Sequence, residues 1–159
     1  MPTPAILSQS STIPFTDSRI GAAGVVIRTY FSTAASGVKQ TKLVYNSGGG
    51  KIYIRTKSVA NWLNVQCLEG ANPRSDTPLT ELDWLGGPSI CFITTGNLLS
   101  GIDHMPVSDT WKYSTLHDQK RPTHAQSQLA SVTWLNGTPS WLYYQDVNSQ
   151  LRQFGLGDY

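Results

Sequence analysis

Two segments far apart in the sequence align without a gap. LVYNSGGGKIYIR (residues 43–55) and LYYQDVNSQLRQF (residues 142–154) each contain an apolar strand, a turn of small polar residues and a second strand. Two short strand patterns joined by such a turn are typical of a β-hairpin. The sequence therefore predicts an internal repeat, which limits the fold to architectures built from copies of one unit.

A second pair of segments supports the repeat independently. LTELDWLGG (residues 79–87) aligns with LASVTWLNG (residues 129–137), 50 residues apart by their first positions, 79 and 129. VVIRTYF (residues 25–31) has the corresponding place ahead of the first hairpin. Each unit then contains an apolar strand, a second strand, a polar turn and a third strand. In the first two copies a tryptophan, Trp62 or Trp111, opens a fourth strand.

The repeated unit predicts the architecture. Four antiparallel strands in each copy, with no segment of helical periodicity, are typical of a propeller blade. We therefore predict an all-β fold, a β-propeller with four-stranded blades and three blade repeats per chain. The single domain spans residues 1–159, with blades at approximately 21–76, 77–126 and 127–159. A β-sandwich whose strands merely look alike is the alternative.

The third copy lacks the closing tryptophan and the fourth strand. An open blade exposes unpaired backbone donors and acceptors at its edge. Residues 5–15 are expected to supply the missing outer strand. Because propellers usually need four to eight blades to close, two chains are expected to form a homodimer with six blades. A chain cut from a longer propeller is the other explanation.

Composition excludes several classes of partner. A chain of 159 residues with 39% apolar residues can bury one core. Charged residues make up 14% of the chain and the net charge is +2, so no broad field exists to hold nucleic acid or an anionic membrane. No apolar run approaches the roughly 20 residues of a membrane helix, and membrane insertion is not expected. The N-terminus carries no secretory signal pattern, so a cytoplasmic or non-classically released protein is expected. Cys67 and Cys91 are expected to be buried free thiols.

The third copy carries a resemblance to a known family. LASVTWLNGTPSWLYYQDVNSQLRQFGL, residues 129–156, resembles a blade of the fungal fucose-binding lectins of the Aleuria aurantia type. Residues 21–62 and 77–111 resemble such blades more loosely. The resemblance implies a six-bladed propeller, built in one chain or by assembly of shorter chains. It also implies fucose binding in grooves between neighbouring blades.

The resemblance further implies a set of sugar contacts in each copy. An arginine on the second strand and a glutamate or glutamine on the third bond the sugar hydroxyls, and an aromatic residue of the next blade covers the apolar face of the sugar. No copy in this chain keeps the full set. The corresponding residues are Lys42 and Ile54 with Trp111 in the first copy, Ile90 and Gly101 in the second, and Trp141 and Gln153 with Trp62 of a following first blade in the third.

Five residues are therefore candidates for sugar binding: Trp62, Gln153, Trp141, Lys42 and Trp111. Each has a structural alternative. Lys42 would otherwise be a solvated edge residue, and the two outer-strand tryptophans would pin their strands. Gln153 would satisfy neighbouring backbone, and Trp141 would fill the pocket. The groove between Trp141, Gln153 and Trp62 of a second chain is the best candidate for a surviving site.

The sequence gives little support to catalysis. His104, His117 and His124 are assigned to loops, without the spacing of a metal site or a catalytic motif. The protein is expected not to be an enzyme and to need no cofactor or metal. The predicted function is carbohydrate binding by a lectin-like propeller with degenerate pockets, with fucosylated glycans as the first ligands to test. The alternative is a protein-interaction or structural propeller that has lost sugar binding.

Overall fold

The computed structural model describes residues 24–30, 39–46, 50–58, 61–84, 87–105, 107–133 and 140–156. Within these ranges the chain forms eleven β-strands and one helix of a single turn, α1 (Thr115–Asp118). The strands are β1 (Gly24–Tyr30), β2 (Lys39–Asn46), β3 (Ile52–Ser58), β4 (Asn61–Leu68), β5 (Thr80–Trp84), β6 (Gly87–Ile93), β7 (Leu99–Met105), β8 (Thr110–Tyr113), β9 (Ala130–Val132), β10 (Ser140–Gln145) and β11 (Leu151–Leu156). The predicted all-β class is confirmed.

The strands form three antiparallel sheets that follow one another along the chain. The first contains β1–β4, the second β5–β8 and the third β9–β11. In each sheet, every strand pairs with its neighbours in sequence, so short turns suffice to connect them. The two hairpins that align without a gap also share one register, because Leu43 pairs with Arg55 and Leu142 pairs with Phe154.

The second sheet lies between the other two and packs against both. The core that it shares with the first sheet contains Val44, Ile52, Ile54, Ala71, Ile90, Phe92 and Ile102. The core that it shares with the third contains Leu82, Cys91, Leu99, Leu116, Leu142, Tyr144 and Phe154. Side chains alternate along a strand, so β6 contributes Ile90 and Phe92 to one core and Cys91 to the other. Burying such an aliphatic or aromatic side chain contributes roughly 1.5–3 kcal/mol.

A buried hydroxyl group anchors the end of the second strand in two of the sheets. Thr77 Oγ1 accepts a hydrogen bond from the backbone N–H of Ile93 at 2.6 Å. Ser127 Oγ accepts one from the backbone N–H of Gln145 at 2.9 Å. Both hydroxyl residues are fully buried, and they lie 50 residues apart, at 77 and 127. The repeat therefore extends from the strands into the loops that precede each sheet.

Some predicted features lie outside the described residues, among them the segment 5–15 that is expected to complete the third blade. Both cysteines are free thiols. Cys91 is buried, and burial raises the pKa of its thiol. Cys67 is half-buried.

Candidate functional site

The resemblance assigns sugar contacts to two positions on each hairpin, one on the second strand of the sheet and one on the third. We call each such pair of positions a slot and number the slots by sheet. The first slot consists of Lys42 and Ile54, and the third slot consists of Trp141 and Gln153. In the first slot Lys42 pairs with Thr56, two positions after Ile54. In the third slot Trp141 pairs with Gly155, two positions after Gln153.

The second slot differs from the sequence prediction. Ser89 pairs with Asp103, which lies two positions after Gly101. The residues of the other two slots are related in the same way, so the second slot consists of Ser89 and Gly101. The prediction of Ile90 is wrong by one residue, which turns the side chain to the opposite face of the sheet. Ser89 Oγ donates a hydrogen bond to Asp103 Oδ1 at 2.7 Å. Burial raises the pKa of Asp103 against the opposing effects of this bond and of the Lys112 charge.

Gly101 leaves no room for a ligand-binding side chain in the second slot. A Cβ atom at this position would lie 2.8 Å from Ser114 Oγ and 3.3 Å from the carbonyl oxygen of Ile90. Carbon atoms essentially never come so close without a shift of the neighbouring groups. The second slot is therefore closed from within the sheet itself.

The first slot is occupied by an ion pair between two sheets. Lys42 is 3% exposed, so it is not a solvated edge residue. Its Nζ donates a hydrogen bond to Asp109 Oδ1 at 2.6 Å and lies 3.4 Å from Thr56 Oγ1. The same carboxylate oxygen lies 2.9 Å from His104 Nε2. Ile54 stands where the lectin family has a glutamate or glutamine, and Asp109, in the turn before β8, supplies a carboxylate there instead.

The charge states of His104 and Asp109 depend on each other and on the charge of Lys42. Burial alone would raise the pKa of Asp109, but the hydrogen bonds from Lys42 and His104 and the charge of Lys42 hold that pKa below its ordinary value. Burial lowers the pKa of His104, and the charge of Lys42 lowers it further, against the effect of Asp109. At neutral pH the cluster therefore contains a carboxylate, an ammonium and a neutral imidazole whose Nε2–H donates to Asp109.

Trp111 faces the first sheet and joins this cluster through His104. It pairs with His104 across β7 and β8, and the two rings lie in contact, tilted at 51° with their centroids 4.9 Å apart. Because paired residues share a face, Trp111 lies on the side of the second sheet that carries Ile102, which belongs to the core shared with the first sheet. The Trp111 Nε1–H is buried and has no hydrogen-bond partner among the described residues.

The third slot lies on the face of its sheet that is turned away from the second sheet. Leu142 packs into the core shared with the second sheet, so Trp141 and Gln153 on the alternate positions point the other way. The six-membered ring of Trp141 lies over Gly155, where a Cβ atom would come within 2.6 Å of it. Gln153 is exposed and Trp141 is half-buried. No described residue of another sheet covers this slot.

Trp62 occupies the place in the first sheet that Trp111 has in the second. It pairs with Lys57 across β3 and β4, and Lys57 Nζ lies 5.9 Å from the centre of the indole. Lys57 alternates with Ile54 and Thr56, so Trp62 points away from the second sheet. Its Nε1–H is also buried without a partner in the part of the chain that the structure describes.

The structure therefore brings Lys42 and Trp111 to one interface, on either side of the His104–Asp109 contact. It places Trp62 and the third slot on the two outer faces of the three-sheet unit. Asp109 was not predicted from the sequence, and His104, which was predicted to lie in a loop, lies in β7. No local signal marks these residues, because Asp109, which contacts both His104 and Lys42, is 67 residues away from Lys42 along the chain.

Solved structures with this arrangement of sheets include six-bladed propellers. AofleA from Arthrobotrys oligospora superimposes with a TM-score of 0.62 at 17% identity, over 89% of this chain and 44% of AofleA. The Aleuria aurantia lectin, described as a six-bladed β-propeller with a novel fucose recognition mode, gives 0.62 at 16% identity over 90% and 48%. A second structure of this fucose-specific lectin gives 0.60 at 18% identity over 89% and 48%. The three sheets of this chain are therefore arranged like sheets in part of these structures.

The likeness has clear bounds. The chain spans less than half the length of these proteins, and its three described sheets do not form a closed ring. No family model matches the sequence, and no curated protein matches it significantly.

The described residues contain neither a metal site nor a helix that could span a membrane. Among the described residues, no three His, Cys, Asp or Glu side chains are grouped so that they could hold a metal ion. Within the same ranges, no helix has the length and apolar character needed to cross a membrane.

Proposed function

We propose that the protein is a carbohydrate-binding, lectin-like propeller in which two chains assemble six blades, with blades at approximately 21–76, 77–126 and 127–159. Residues 5–15 would complete the third blade. The ligand would bind in the groove between the third sheet of one chain and the first sheet of its partner, where Trp141 and Gln153 would meet Trp62. Fucose is the first sugar to test.

The observation that carries the proposal is the repeated placement of the outer-strand tryptophans. Trp111 faces the sheet that precedes its own and lies beside the first slot. Trp62 has the equivalent pairing in the first sheet and faces the side on which a preceding sheet would stand in a ring. A third sheet placed there would present the third slot to Trp62.

The third slot offers part of the chemistry that a sugar needs. Gln153 supplies an amide that can both donate and accept hydrogen bonds, and the two indoles supply apolar surfaces for the ring carbons. The arginine of the family is missing, and the loss of one charge-assisted hydrogen bond costs about 1.5–3 kcal/mol. Affinity for fucose should then be roughly tenfold to a hundredfold weaker than with the full set of contacts.

Calorimetric titration tests the site directly. L-Fucose and a glycan panel are titrated into the parent protein, Trp62→Ala and Gln153→Ala, with Gln145→Ala as the matched control because Gln145 is an exposed glutamine on the same face. We expect binding to the parent and to Gln145→Ala, and weaker binding to the other two. No heat with any sugar, or equal binding to all four proteins, would contradict the proposal.

Light scattering tests the assembly. The outer face of the third sheet carries Leu151, which is 72% exposed, so Leu151→Asp should weaken a dimer formed through this face. Val107→Asp is the control, since Val107 is 92% exposed in the turn before β8. The expected result is twice the chain mass for the parent and the control, and a shift towards the monomer for Leu151→Asp. A monomeric parent at low micromolar concentration would sink the six-bladed assembly.

One observation favours the alternative, a protein-interaction or structural propeller. The first slot is filled by the chain's own ion pair and the second is closed by Gly101 and Ser114. A scaffold that has lost its sugar pockets would show these features in every slot. The third slot is open, and the titration above distinguishes the two functions.

A further inference from the structure

The carboxylate that fills the first slot comes from an exposed turn rather than from a strand. Asp109 directly precedes β8, and its side chain is 50% exposed although its Oδ1 atom contacts two buried groups. Its backbone φ of 51° is a left-handed conformation, which is uncommon for residues other than glycine. Of the turn residues 107–109, none belongs to either core. The carboxylate therefore reaches into the slot from the solvent side.

The groups that receive this carboxylate are held by the strands of two sheets. Lys42 lies in β2 of the first sheet and His104 in β7 of the second, and they are 3% and 2% exposed. Lys42 Nζ also lies 3.4 Å from Thr56 Oγ1 in β3. We call Lys42, Thr56 and His104 the cradle. Because each of the three belongs to a strand, the cradle keeps its place when the turn that carries Asp109 moves away.

The chemistry of the cradle selects a carboxylate. Lys42 Nζ and His104 Nε2 both donate to Asp109 Oδ1, at 2.6 and 2.9 Å. A buried ammonium is costly unless an anion accompanies it, so the site requires one negative charge. Hydrogen bonds from a charged donor to a carboxylate oxygen are short and strong. The same bonds would form to a carboxylate that does not belong to the chain.

The size of the site limits the ion that fits. Beyond its Cα atom, Asp109 consists of a CH₂ group and a carboxylate, which acetate reproduces with one extra hydrogen. Lys42 and His104 are buried between the two sheets, so a bulky ion would have to push the sheets apart. Chloride carries the charge but lacks the paired oxygens. Formate and acetate therefore match the space and the chemistry that Asp109 now fills.

We infer that the first slot is a binding site for a small carboxylate ion, and that the turn carrying Asp109 is an internal plug that such an ion displaces. The ligand is an anion held by a buried ammonium, so the inference does not rest on the proposed carbohydrate function. In the parent protein Asp109 competes with the ion from within the chain, which makes binding weak. Removal of the plug should reveal the site.

Asp109→Gly tests the site, because glycine accepts the positive φ and removes the plug. Thermal unfolding is followed in 0.2 M sodium acetate and in sodium chloride of the same ionic strength. One charge-assisted contact corresponds to a dissociation constant on the order of 10 mM. Acetate should then raise the Tm of Asp109→Gly by about 4–7 °C relative to chloride. Formate should act similarly, and benzoate, which is too large, should not.

Two control variants separate the cradle from a general effect of acetate. Asp76→Gly removes the 71% exposed partner of Arg74, and its Tm should be the same in acetate and in chloride. Lys42→Met combined with Asp109→Gly removes the ammonium and should abolish the response. If Asp109→Gly is unfolded in chloride, recovery of its near-ultraviolet circular dichroism in acetate becomes the measurement, and a failure to recover contradicts the inference.

The indole signal of Trp111 in ¹H–¹⁵N spectra tests the plug in the parent protein. The Trp111 ring contacts the ring of His104, and Trp111→Phe identifies its signal among those of the five tryptophans. Acetate should shift this signal in Asp109→Gly with a midpoint on the order of 10 mM. In the parent, the midpoint should be about tenfold to a hundredfold higher, because a tethered group competes at high effective concentration.

Three results would overturn the inference. The first is an equal response to acetate in Asp109→Gly and in the double variant that lacks Lys42. The second is an equal response of Asp109→Gly to acetate, benzoate and chloride, which would indicate a general salt effect. The third is a parent protein whose Trp111 signal stays in place up to 1 M acetate relative to chloride, since Asp109 would then be a permanent part of the fold rather than a plug.

Discussion

The first and third slots are equivalent positions of one repeated hairpin, yet one is buried and the other is open. In the first, Lys42 is covered by the second sheet and neutralised by Asp109. In the third, Gln153 is exposed and Trp141 rests on Gly155 without a facing sheet among the described residues. The neighbouring sheet, rather than the hairpin itself, therefore decides whether a slot can receive a ligand.

The contact that closes the first slot should give the largest effect when it is removed. Asp109→Ala leaves the buried Lys42 ammonium without its carboxylate. Removing one partner of a buried pair costs about 3–5 kcal/mol, and because Asp109 is 50% exposed we expect about 2 kcal/mol of lost unfolding free energy. Urea denaturation measures the change.

The matched control is Asp76→Ala, which removes a 71% exposed partner of Arg74 and should cost less than about 1 kcal/mol. The double variant Lys42→Met with Asp109→Ala should recover much of the stability, because no buried charge is then left unpaired. Equal losses of unfolding free energy in the two single variants would mean that the Lys42–Asp109 contact stabilises the fold no more than an exposed ion pair does.

The second prediction compares the same change, glycine to alanine, at Gly101 in the closed second slot and at Gly155 beside the open third slot. In Gly101→Ala the new methyl group meets Ser114 Oγ and the backbone of Ile90, which cannot move easily, so we expect a loss of about 1–3 kcal/mol. In Gly155→Ala it meets the end of the Trp141 ring, which can swing outward. A loss below about 1 kcal/mol is expected there.

Thermal and urea unfolding compare the two glycine variants, and Gly96→Ala serves as the control because its nearest neighbours would lie 3.9 Å away. Near-ultraviolet circular dichroism should change in Gly155→Ala as the indole moves. A Gly155→Ala protein that is as unstable as Gly101→Ala would show that Trp141 is fixed in place and that the third slot is not open.

The third prediction concerns acid. The folded-state pKa of His104 lies below its ordinary value of 6.5, so below pH 6.5 the unfolded chain binds a proton that the folded chain resists. The free energy of unfolding should therefore fall as the pH drops from 7 towards 5. The fall should be smaller than the loss of unfolding free energy caused by Asp109→Ala at neutral pH. The contribution of Asp109 to stability is kept in this pH range. Its pKa is lowered in the folded state, so that contribution is lost only at more acidic pH.

Urea midpoints between pH 5 and 8 measure this effect in the parent, His104→Gln and His124→Gln. The slope should flatten in His104→Gln, which can still present a donor to Asp109, and should persist in His124→Gln. The reverse result would move the origin of the pH dependence away from the first slot.

The sequence predicted the fold where its local pattern was strong. The first and third hairpins match each other without a gap and have polar turns of the same length, so their common register could be predicted correctly. In β6, Ile90, Cys91, Phe92 and Ile93 are all buried, because this strand serves two cores. Such a strand carries no period-two signal, and the second hairpin lacks the close sequence match that the first and third hairpins share, so the second slot was predicted one residue away from Ser89.

The closing of the first slot could not be predicted from the sequence. The exchange of Arg for Lys42 and of the carboxylate for Ile54 is visible in the alignment of the hairpins. The replacement carboxylate comes from another sheet, at Asp109, where the backbone has a positive φ of 51°. Only the packing of the two sheets brings Asp109 to Lys42, and no spacing rule in the chain encodes that contact.

The smallest change in stability, and the sharpest contrast in binding, should come from giving each slot the arginine of the lectin family. Trp141→Arg places a guanidinium beside Gln153 on an open face, so we expect less than about 1 kcal/mol of lost stability. On the proposed function we expect roughly tenfold tighter fucose binding, because the charged hydrogen bond outweighs the lost Trp141 surface and Trp62 still covers the sugar. Lys42→Arg in the closed slot keeps its charge facing Asp109 and should gain no affinity. Calorimetry with L-fucose compares them, and a gain in Lys42→Arg without one in Trp141→Arg would reverse the assignment of open and closed slots.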